Sequence, residues 1–380
     1  MNRKQRRAEK KSSVPADALA LHESGVQAFV AGHPDKAAGL IAQAIAANGQ
    51  MPDFHYNLAI ILKAQGKLKQ AAASYQRAIA LKPDYAEAHN NLGNVWKDLG
   101  EPDKARASFQ QALAIKPANP DTHYSLGLLC GDDREQAASH FRHCLENDPQ
   151  DSRGARHLLA RMGAGVAPEK TSQAQLLKIY DVRSRFWDQE SSYFAPGLVA
   201  DALHAHAART TLDILDIGCG TGLVGARISD LARRLDGADL SPAMLEKAQA
   251  KSIYDRLELA DIVTVLSAHK DSYDAILGAA VLIHFGDLGT IFKAAAASLR
   301  ESGLFIFTLF ANDGDNPDFA VAVSDRLAES GCYTHSATYI ARLAPEYGFS
   351  VQVLKQVVHE HDQDGNPVAG LLAVLRRDTV

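Results

Sequence analysis

The sequence has few cysteines, little net charge and no long apolar segment, and each of these absences excludes a class of protein. The cysteines form no CxxC pair and no metal-ligand spacing, which indicates a reducing, cytoplasmic environment and no metal site; they are Cys130, Cys144, Cys219 and Cys332. A net charge of −5 over 380 residues argues against a polyanion binder, so nucleic acid is a disfavoured partner. No apolar run approaches the ~18 residues of a membrane-spanning helix, so we expect no membrane span.

Basic residues crowd the first 16 positions, in the stretch MNRKQRRAEKK. Such a run predicts a solvated, disordered tail over residues 1–16, and a weak contact with nucleic acid or a membrane surface is the alternative. No apolar core follows the basic residues, so we expect no secretory signal.

A repeated pattern covers residues 17–160. Gly66 and Pro83 recur 34 positions later as Gly100 and Pro117, and small and apolar positions between them recur in the same way. Glycine permits the left-handed conformation that ends a helix, and proline breaks the helix that follows. The spacing therefore predicts about four helix–turn–helix units.

These units resemble tetratricopeptide repeats, a family whose members stack into a curved superhelix. The resemblance implies that the concave groove binds a protein or peptide partner; capping or dimerising the domain behind it is the alternative. The side chains expected along the groove are polar and rich in histidine, and comprise His55, Asn57, His89, Asn90, Asn94, His123 and Ser125. Cys130 and Cys144 fall on packing positions of the fourth unit, which predicts a structural role for both.

The segment 161–171 is rich in glycine, alanine and proline, which predicts a linker. Beyond it, residues 172–380 alternate strand-like and helical stretches, which predicts a mostly parallel, doubly wound sheet covered on both faces. The predicted strands are 212–217, 234–239, 257–261, 273–278 and 304–310, with helices such as 241–251 and 288–300 between them. Ligands on such sheets bind at the carboxyl ends of the strands.

A glycine-rich loop in LDILDIGCGTG directly follows the first of these strands. A dinucleotide fingerprint requires G-x-G-x-x-G, but Gly222 comes one residue early and Leu223 stands in its place, which disfavours a nicotinamide cofactor. Asp216 would repel a pyrophosphate and attract an α-amino group and a sulfonium. Asp239, at the end of the next strand, can accept two hydrogen bonds from a ribose diol, and Asp261 is placed to meet an adenine amino group.

The stretches LDIGCGTG, GADLSPAML and LADI look like those of class I S-adenosylmethionine-dependent methyltransferases. IYDVRSRFWDQ, YFAPGLV, YDAILGAAVLIHFGDL, CYTHSATYI and PVAGLLAVL resemble a bacterial group of predicted methyltransferases that carry tetratricopeptide repeats. This resemblance covers residues 172–376 and implies a Rossmann-like sheet of seven strands that ends in an antiparallel hairpin, 349–358 with 368–375. It implies S-adenosyl-L-methionine as the cofactor, bound by Tyr180, Asp216, Gly218, Cys219, Gly220, Gly222, Asp239, Leu240, Asp261 and Ile262.

The function that follows is transfer of a methyl group to an unidentified acceptor, with the repeats mediating protein–protein interaction. The alternative is a catalytically idle methyltransferase fold that serves with the repeats as a protein-binding scaffold. Ala279 and Ala280 keep this alternative open, because relatives usually carry an acid here that helps to position the acceptor.

A general base is needed only if the acceptor arrives protonated. Catalytic candidates near the expected mouth of the site are His284, after the fourth strand, and Tyr333 and His335, before the hairpin. The residues expected either to cover the cofactor as a lid or to pack their helix on the sheet are Tyr180, Phe186 and Tyr193.

Two polar features receive structural interpretations. HEHDQDGN, at 359–366, is predicted as the polar tip of the final hairpin rather than as a metal site, with Asp364 and Gly365 forming the turn. Cys219 lies between two glycines, where a small side chain is needed, and an exposed reactive thiol is the alternative.

Overall fold

The computed structural model describes residues 16–184, 187–189, 192–312, 318–322, 330–362 and 364–379. The chain forms two compact units that divide after Asp148. The predicted tail up to residue 15 lies outside the described residues, as does Phe186. In the described part of the chain, no helix is both long and apolar enough to cross a lipid bilayer.

Helices packed in consecutive pairs form the described part of the first unit. They are α1 (Ala16–Val30), α2 (Pro34–Ala47), α3 (Pro52–Ala64), α4 (Leu68–Leu81), α5 (Ala86–Asp98), α6 (Pro102–Ile115), α7 (Pro120–Leu128) and α8 (Arg134–Asn147). Proline at the first position of four helices suits a place where an N–H would lack an intrahelical partner. Gly66 and Gly100 have φ of 72° and 73° just after a helix, as predicted, and Cys130 and Cys144 are buried.

Glycine faces phenylalanine where the two helices of a repeat come closest. A Cβ on Gly93 would lie 2.6 Å from the Phe109 ring, and a Cβ on Gly127 would lie 2.6 Å from the Phe141 ring. Both rings are buried. These two repeats therefore fill the space of a missing side chain with an aromatic ring.

Replacing Gly93 with alanine is expected to destabilise the first unit by about 1–3 kcal/mol, because the added methyl group overpacks against Phe109. Gly39 is the matched control, since it lies inside α2 but a Cβ there meets no atom within 4 Å. Gly39→Ala should stabilise the unit by about 0.5–1 kcal/mol. Urea unfolding measures both changes, and a shift of the same sign in both variants would contradict the packing argument.

The histidines predicted to line the groove bond to the backbone of the turn that precedes their helix. The Nε2 atom of His55 lies 3.1 Å from Gly49 O, that of His89 lies 3.1 Å from Pro83 O, and that of His123 lies 2.9 Å from Pro117 O. Each ring thus ties the beginning of its helix to the preceding turn. The recurrence of these histidines therefore has a structural cause.

A nine-stranded sheet with helices on both faces forms the second unit. Its strands are β1 (Leu212–Ile217), β2 (Ala232–Asp239), β3 (Arg256–Leu259), β4 (Tyr273–Gly278), β5 (Leu299–Ala311), β6 (Phe319–Val321), β7 (Tyr333–His335), β8 (Phe349–His361) and β9 (Pro367–Arg377). Its helices are α9 (Ala155–Arg161), α10 (Gln173–Arg183), α11 (Ala195–His206), α12 (Gly225–Ile228), α13 (Pro242–Ala250), α14 (Ile262–Ala268), α15 (Gly289–Ser298) and α16 (Ala337–Glu346), with 3-10 turns at Trp187–Gln189 and Leu282–His284.

Five parallel strands run in the order β3-β2-β1-β4-β5, and β9 and then β8 continue the sheet in antiparallel pairing. This confirms the doubly wound sheet and the final hairpin. The short hairpin β6–β7 was not predicted and brings the strands to nine rather than seven. It pairs with Phe310 and Ala311, beyond the β5 residues that pair with β4.

Alternate side chains of the strands enter two separate cores. In β5, Phe305 and Phe307 pack with α15 and α16 on one face, whereas Leu304 and Ile306 pack with α11 on the other. All four side chains are buried. Residues along the strands are therefore committed to packing, which leaves the strand ends for function.

The segment predicted as a linker belongs to the second unit, as does α9. Residues 168–172, here named the strap, run antiparallel to the chain around Phe285. Lys170 pairs with Phe285, Thr171 N donates to His284 O at 2.8 Å, and Gly286 N donates to Glu169 O at 2.9 Å. These hydrogen bonds use only the backbone of the strap, so the segment needs no periodic apolar pattern to hold its place.

Arginines pair with three buried aspartates, two at the amino ends of β1 and β4 and one within β2. Asp213 accepts hydrogen bonds from Arg233 Nη2 at 2.6 Å and Arg300 Nη2 at 2.8 Å. Arg300 also lies 3.0 Å from Asp274, and Arg234 lies 3.4 Å from Asp236. The hydrogen bond from Arg233, which has the largest effect, and the weaker effect of the bond from Arg300 lower the pKa of Asp213 to about 2.

Asp213→Asn is expected to lose stability at neutral pH and less at acidic pH. A lowered native-state pKa stabilises the fold above the ordinary aspartate pKa of about 4, and this contribution is lost as the pH falls through about 2. Urea midpoints at pH 7 and pH 3 should therefore show a smaller gap between variant and wild type at pH 3. Asp201→Asn is the control, because Asp201 is exposed on the surface of α11. If the difference in urea midpoint between Asp213→Asn and wild type is the same at pH 7 and pH 3, the ion pairs of Asp213 do not stabilise the fold.

Candidate active site

A cavity opens at the carboxyl ends of the parallel strands. The predicted site residues that line it are Tyr180, Gly218, Cys219, Gly220, Asp239, Leu240, Asp261, Ile262 and His284. They come from α10, from the loops after β1, β2 and β3, and from the 3-10 turn after β4. The fold thus brings most of the predicted set together at one place.

The glycine loop has a backbone that other residues would strain. Gly218, Gly220 and Gly222 have φ of 64°, 54° and 87°, in the left-handed region that disfavours side chains. A Cβ on Gly218 would lie 2.4 Å from Val281, but a Cβ on Gly220 would meet only Trp187 Nε1, at 4.0 Å. Gly220 therefore presents bare backbone to open space, as a ligand cradle requires.

Asp239 sits beside this cradle, and backbone groups hold its carboxylate in place. Its Oδ2 accepts a hydrogen bond from Gly220 N at 2.9 Å, and its Oδ1 accepts one from Ser241 N at 2.8 Å. Burial raises the pKa of Asp239. Each carboxylate oxygen keeps a further lone pair, so the group can accept hydrogen bonds from a diol.

Asp261 begins α14 and is bonded on both oxygens. Its Oδ1 accepts from Val263 N at 2.9 Å, which caps the helix, and its Oδ2 accepts from Lys170 Nζ at 3.0 Å. An amino group that approaches Oδ2 must share this oxygen with the strap lysine. Lys170, which was not predicted as a site residue, therefore also lines the cavity.

Tyr180 and His284 form a hydrogen-bonded pair in the cavity wall. Tyr180 Oη lies 2.7 Å from His284 Nε2, and burial lowers the pKa of His284 to about 3, so the imidazole is neutral. Thr171 donates its hydroxyl proton to Gly331 O, so His284 Nδ1, 3.5 Å from Thr171 Oγ1, carries the ring proton. Nε2 consequently accepts the proton of Tyr180, whose oxygen keeps a lone pair free for a third group.

Comparison with known proteins decides the class of this site. A sequence profile for the family described as "Methyltransferase domain" matches residues 186–354, and profiles for tetratricopeptide repeats match residues 61–100 and 86–119. The chain carries a methyltransferase domain behind tetratricopeptide repeats. The methyltransferase domain is S-adenosylmethionine-dependent, and the open side of Gly220 next to the Asp239 carboxylate fits that cofactor.

Several methyltransferases are similar to this domain. A ubiquinone biosynthesis O-methyltransferase of Xanthomonas campestris is 27% identical over 192 residues, covering 47% of this chain and 74% of the relative. Human methyltransferase-like protein 27 is 38% identical over 115 residues, covering 27% of this chain and 45% of the relative. Among solved structures, a Burkholderia thailandensis 1,6-didemethyltoxoflavin-N1-methyltransferase is similar with a TM-score of 0.45, 20% identity and coverage of 55% and 87%.

Asp216, predicted to bind the cofactor, is not among the residues that line the cavity of the methyltransferase domain. It is fully buried, its Oδ2 accepts the Tyr254 hydroxyl at 2.7 Å, and burial raises its pKa to about 7. The group is therefore partly protonated at neutral pH. Gly222 also lies off the cavity, since a Cβ there would meet Tyr254 at 3.0 Å.

Tyr333 and His335 lie away from the cavity as well. The Tyr333 hydroxyl donates to Pro168 O, and His335 Nε2 donates to Gly286 O at 2.9 Å. Both side chains are buried, and burial lowers the pKa of His335 to about 4. They hold the strap and the chain around Gly286 because β7 turns them inward, so neither can contact an acceptor.

The Trp187 turn of the methyltransferase domain was not predicted to line the site. Trp187 lies over Gly220, and Asp188 fixes the turn by accepting from Thr221 and by pairing with Lys251 Nζ at 3.1 Å. The Trp187 ring is 5.2 Å from the Tyr193 ring, and Tyr193 also lines the cavity, as predicted for a lid residue. The sequence gives no periodic signal for a single turn of this kind.

Only the second part of the polar stretch 359–366 forms a turn, and its first three residues belong to β8. β8 extends to His361, so His359 is buried and Glu360 reaches the cavity, whereas Asp362 accepts the backbone N–H groups of Asp364 and Asn366. Within the described ranges, no three His, Cys, Asp or Glu side chains are placed to hold a metal. Burial raises the pKa of Cys219 well above its usual value, which suits a small packed thiol.

Proposed function

We propose that the chain transfers the methyl group of S-adenosylmethionine to an acceptor, and that the repeats bind a protein partner. The observation that carries this proposal is the open side of Gly220 next to the backbone-held Asp239 carboxylate. A cytoplasmic location in a bacterium is part of the proposal, because the four buried cysteines are all free thiols, which a reducing compartment maintains.

Different residues of the cavity would bind different parts of the cofactor. Asp239 would accept the ribose hydroxyls, and Asp261 would accept the adenine amino group while sharing its Oδ2 with Lys170. Leu240 and Ile262 lie at the same strand ends and would flank the adenine ring. The other predicted contacts that line the cavity are the loop residues Gly218, Cys219 and Gly220, which would border the methionyl portion, together with Tyr180.

The bound cofactor supplies a methyl group on a sulfonium, which is already a good leaving group. The protein's own contribution is therefore alignment and exclusion of water. Trp187, Tyr180 and Tyr193 place three aromatic rings along the cavity. The free lone pair of Tyr180 Oη, held by neutral His284, can accept an N–H or O–H of the acceptor and orient it.

Calorimetric titration of the full chain with S-adenosylmethionine and with S-adenosylhomocysteine tests the cofactor. Both should bind, and at a hundredfold excess over Kd the free energy of unfolding of the methyltransferase domain should rise by about 2.7 kcal/mol. NAD⁺ serves as the control ligand and should produce neither effect. Folded protein that binds neither sulfur ligand would favour the idle scaffold, and its repeats would then be the functional part.

A further inference from the structure

Arg183 brings a positive charge into the cavity wall, at the end of α10. Leu176, Tyr180 and Arg183 are spaced about one helical turn apart, so they share one face of the helix, and all three line the cavity. The Cζ atom of Arg183 lies 5.9 Å from the centre of the Trp187 ring. Within the described part of the chain, no carboxylate forms an ion pair with this guanidinium. Its charge is therefore available to an anionic group of a ligand.

Arg183 lies one aromatic ring away from the glycine loop and near the hydrogen-bonded pair of Tyr180 and His284. Trp187, on which Arg183 packs, has its Nε1 atom 4.0 Å from the place where a Cβ of Gly220 would be. After the larger effect of burial, the Arg183 charge lowers the pKa of His284. An anionic group that pairs with Arg183 would thus lie beside the open side of Gly220.

The charge of Arg183 acts more strongly here than either nearby carboxylate. Burial and then Cys332 raise the pKa of Tyr180, and the Arg183 charge opposes them. Its effect on Tyr180 exceeds the opposite effect of Asp239 and also that of Glu360. An anionic group of a ligand is therefore favoured next to Arg183.

We propose that Arg183 binds the carboxylate of the methionyl portion of S-adenosylmethionine, so that the site selects a cofactor with an intact amino-acid end. The inference rests on the proposed function, because it assigns one end of the cofactor in the same cavity. A guanidinium can donate two parallel hydrogen bonds to a carboxylate. Packing against the Trp187 ring restricts the guanidinium before the ligand binds, which lowers the entropy lost on binding.

The order of the strands places the methionyl portion on the side of Arg183. Asp261, Asp239 and Gly220 lie at or just after the carboxyl ends of three neighbouring strands, β3, β2 and β1. Adjacent strands are about 4.8 Å apart, so the three residues follow one another across the cavity. With the adenine at Asp261 and the ribose at Asp239, the methionyl portion would lie along the Gly220 loop. Its carboxylate would then lie next to Trp187 and Arg183.

S-adenosylmethionine and decarboxylated S-adenosylmethionine differ in the carboxylate alone and test this assignment. Titrated into the full chain, S-adenosylmethionine should bind at least about tenfold more tightly than the decarboxylated compound. Arg183→Gln should remove most of this preference by weakening S-adenosylmethionine, and should not weaken the decarboxylated compound. Arg183→Lys keeps the charge but loses the two-pronged geometry, so it should retain part of the preference.

Arg227→Gln is the matched control for the loss of one positive charge. Arg227 also lies in the last turn of a helix, α12, shortly after the glycine loop. Its Nη1 donates to Leu223 O at 2.8 Å, and its side chain is not among those that line the cavity. Arg227→Gln should therefore leave the preference for S-adenosylmethionine unchanged, which separates a direct contact with the carboxylate from an effect of net charge.

The two ligands also separate this assignment from the proposed function. Equal binding of both by the wild-type chain would overturn the role of Arg183 and leave the cofactor assignment intact. An equal loss of both in Arg183→Gln would also overturn it, because Arg183 would then serve only to stabilise the last turn of α10. Binding of neither ligand by folded wild-type protein would overturn the proposed function, and this assignment with it.

Discussion

Asp239→Ala is expected to weaken S-adenosylmethionine binding by at least about a hundredfold. Hydrogen bonds to a charged carboxylate contribute about 1.5–3 kcal/mol each, so loss of two costs about 3 kcal/mol or more. The variant also releases Gly220 N and Ser241 N, which loosens the cradle. Calorimetric titration measures the loss, and circular dichroism establishes that the variant is folded.

Asp255→Ala is the matched control for that experiment. Asp255 also accepts a backbone N–H, that of Leu235 at 2.8 Å, but it lies just before the amino end of β3 and is not among the residues that line the cavity. Its removal should lower stability and leave the Kd for the cofactor unchanged. Equal affinities for Asp239→Ala and wild type would show that this carboxylate does not contact the cofactor.

Gly220→Ala is expected to weaken cofactor binding by about tenfold to a hundredfold, because the new methyl group enters the open side of the loop. Overpacking by one methyl group costs about 1–3 kcal/mol. Gly365→Ala is the control for backbone strain, since Gly365 also has a positive φ, of 83°, and a Cβ there meets no atom within 4 Å. Both variants should melt earlier than wild type, but only Gly220→Ala should change the Kd; retention of wild-type affinity would place the ligand elsewhere.

Regular elements of this chain could be predicted because their signals are local. β1 and β4 were predicted to the residue, since each is an unbroken, wholly buried strand. The repeats followed from their period, and Gly66 and Gly100 from their position after helices. β5 begins earlier than predicted, because its first residues, Leu299–Gly303, are partly polar and gave no apolar signal.

Long-range contacts could not be predicted in the same way. Asp216 and Asp239 both lie near the end of a buried strand, yet Tyr254, 38 positions from Asp216, withdraws the first from the cavity. The three-residue strand β7 turns Tyr333 and His335 inward, and its pairing with β5 has no local signature. Glu360 lies in a stretch that looks like a hairpin tip, and only the length of β8 carries it to the cavity.

The sequence contains two tryptophans, and the turn at Trp187 puts one of them 4.0 Å from the place where a Cβ of Gly220 would be. The other, Trp96, belongs to the repeats. A ligand that enters the cradle changes the surroundings of the Trp187 indole directly. Tryptophan fluorescence of a Trp96→Phe chain, excited at a wavelength that tyrosine does not absorb, is therefore a built-in, label-free reporter of the cofactor cavity.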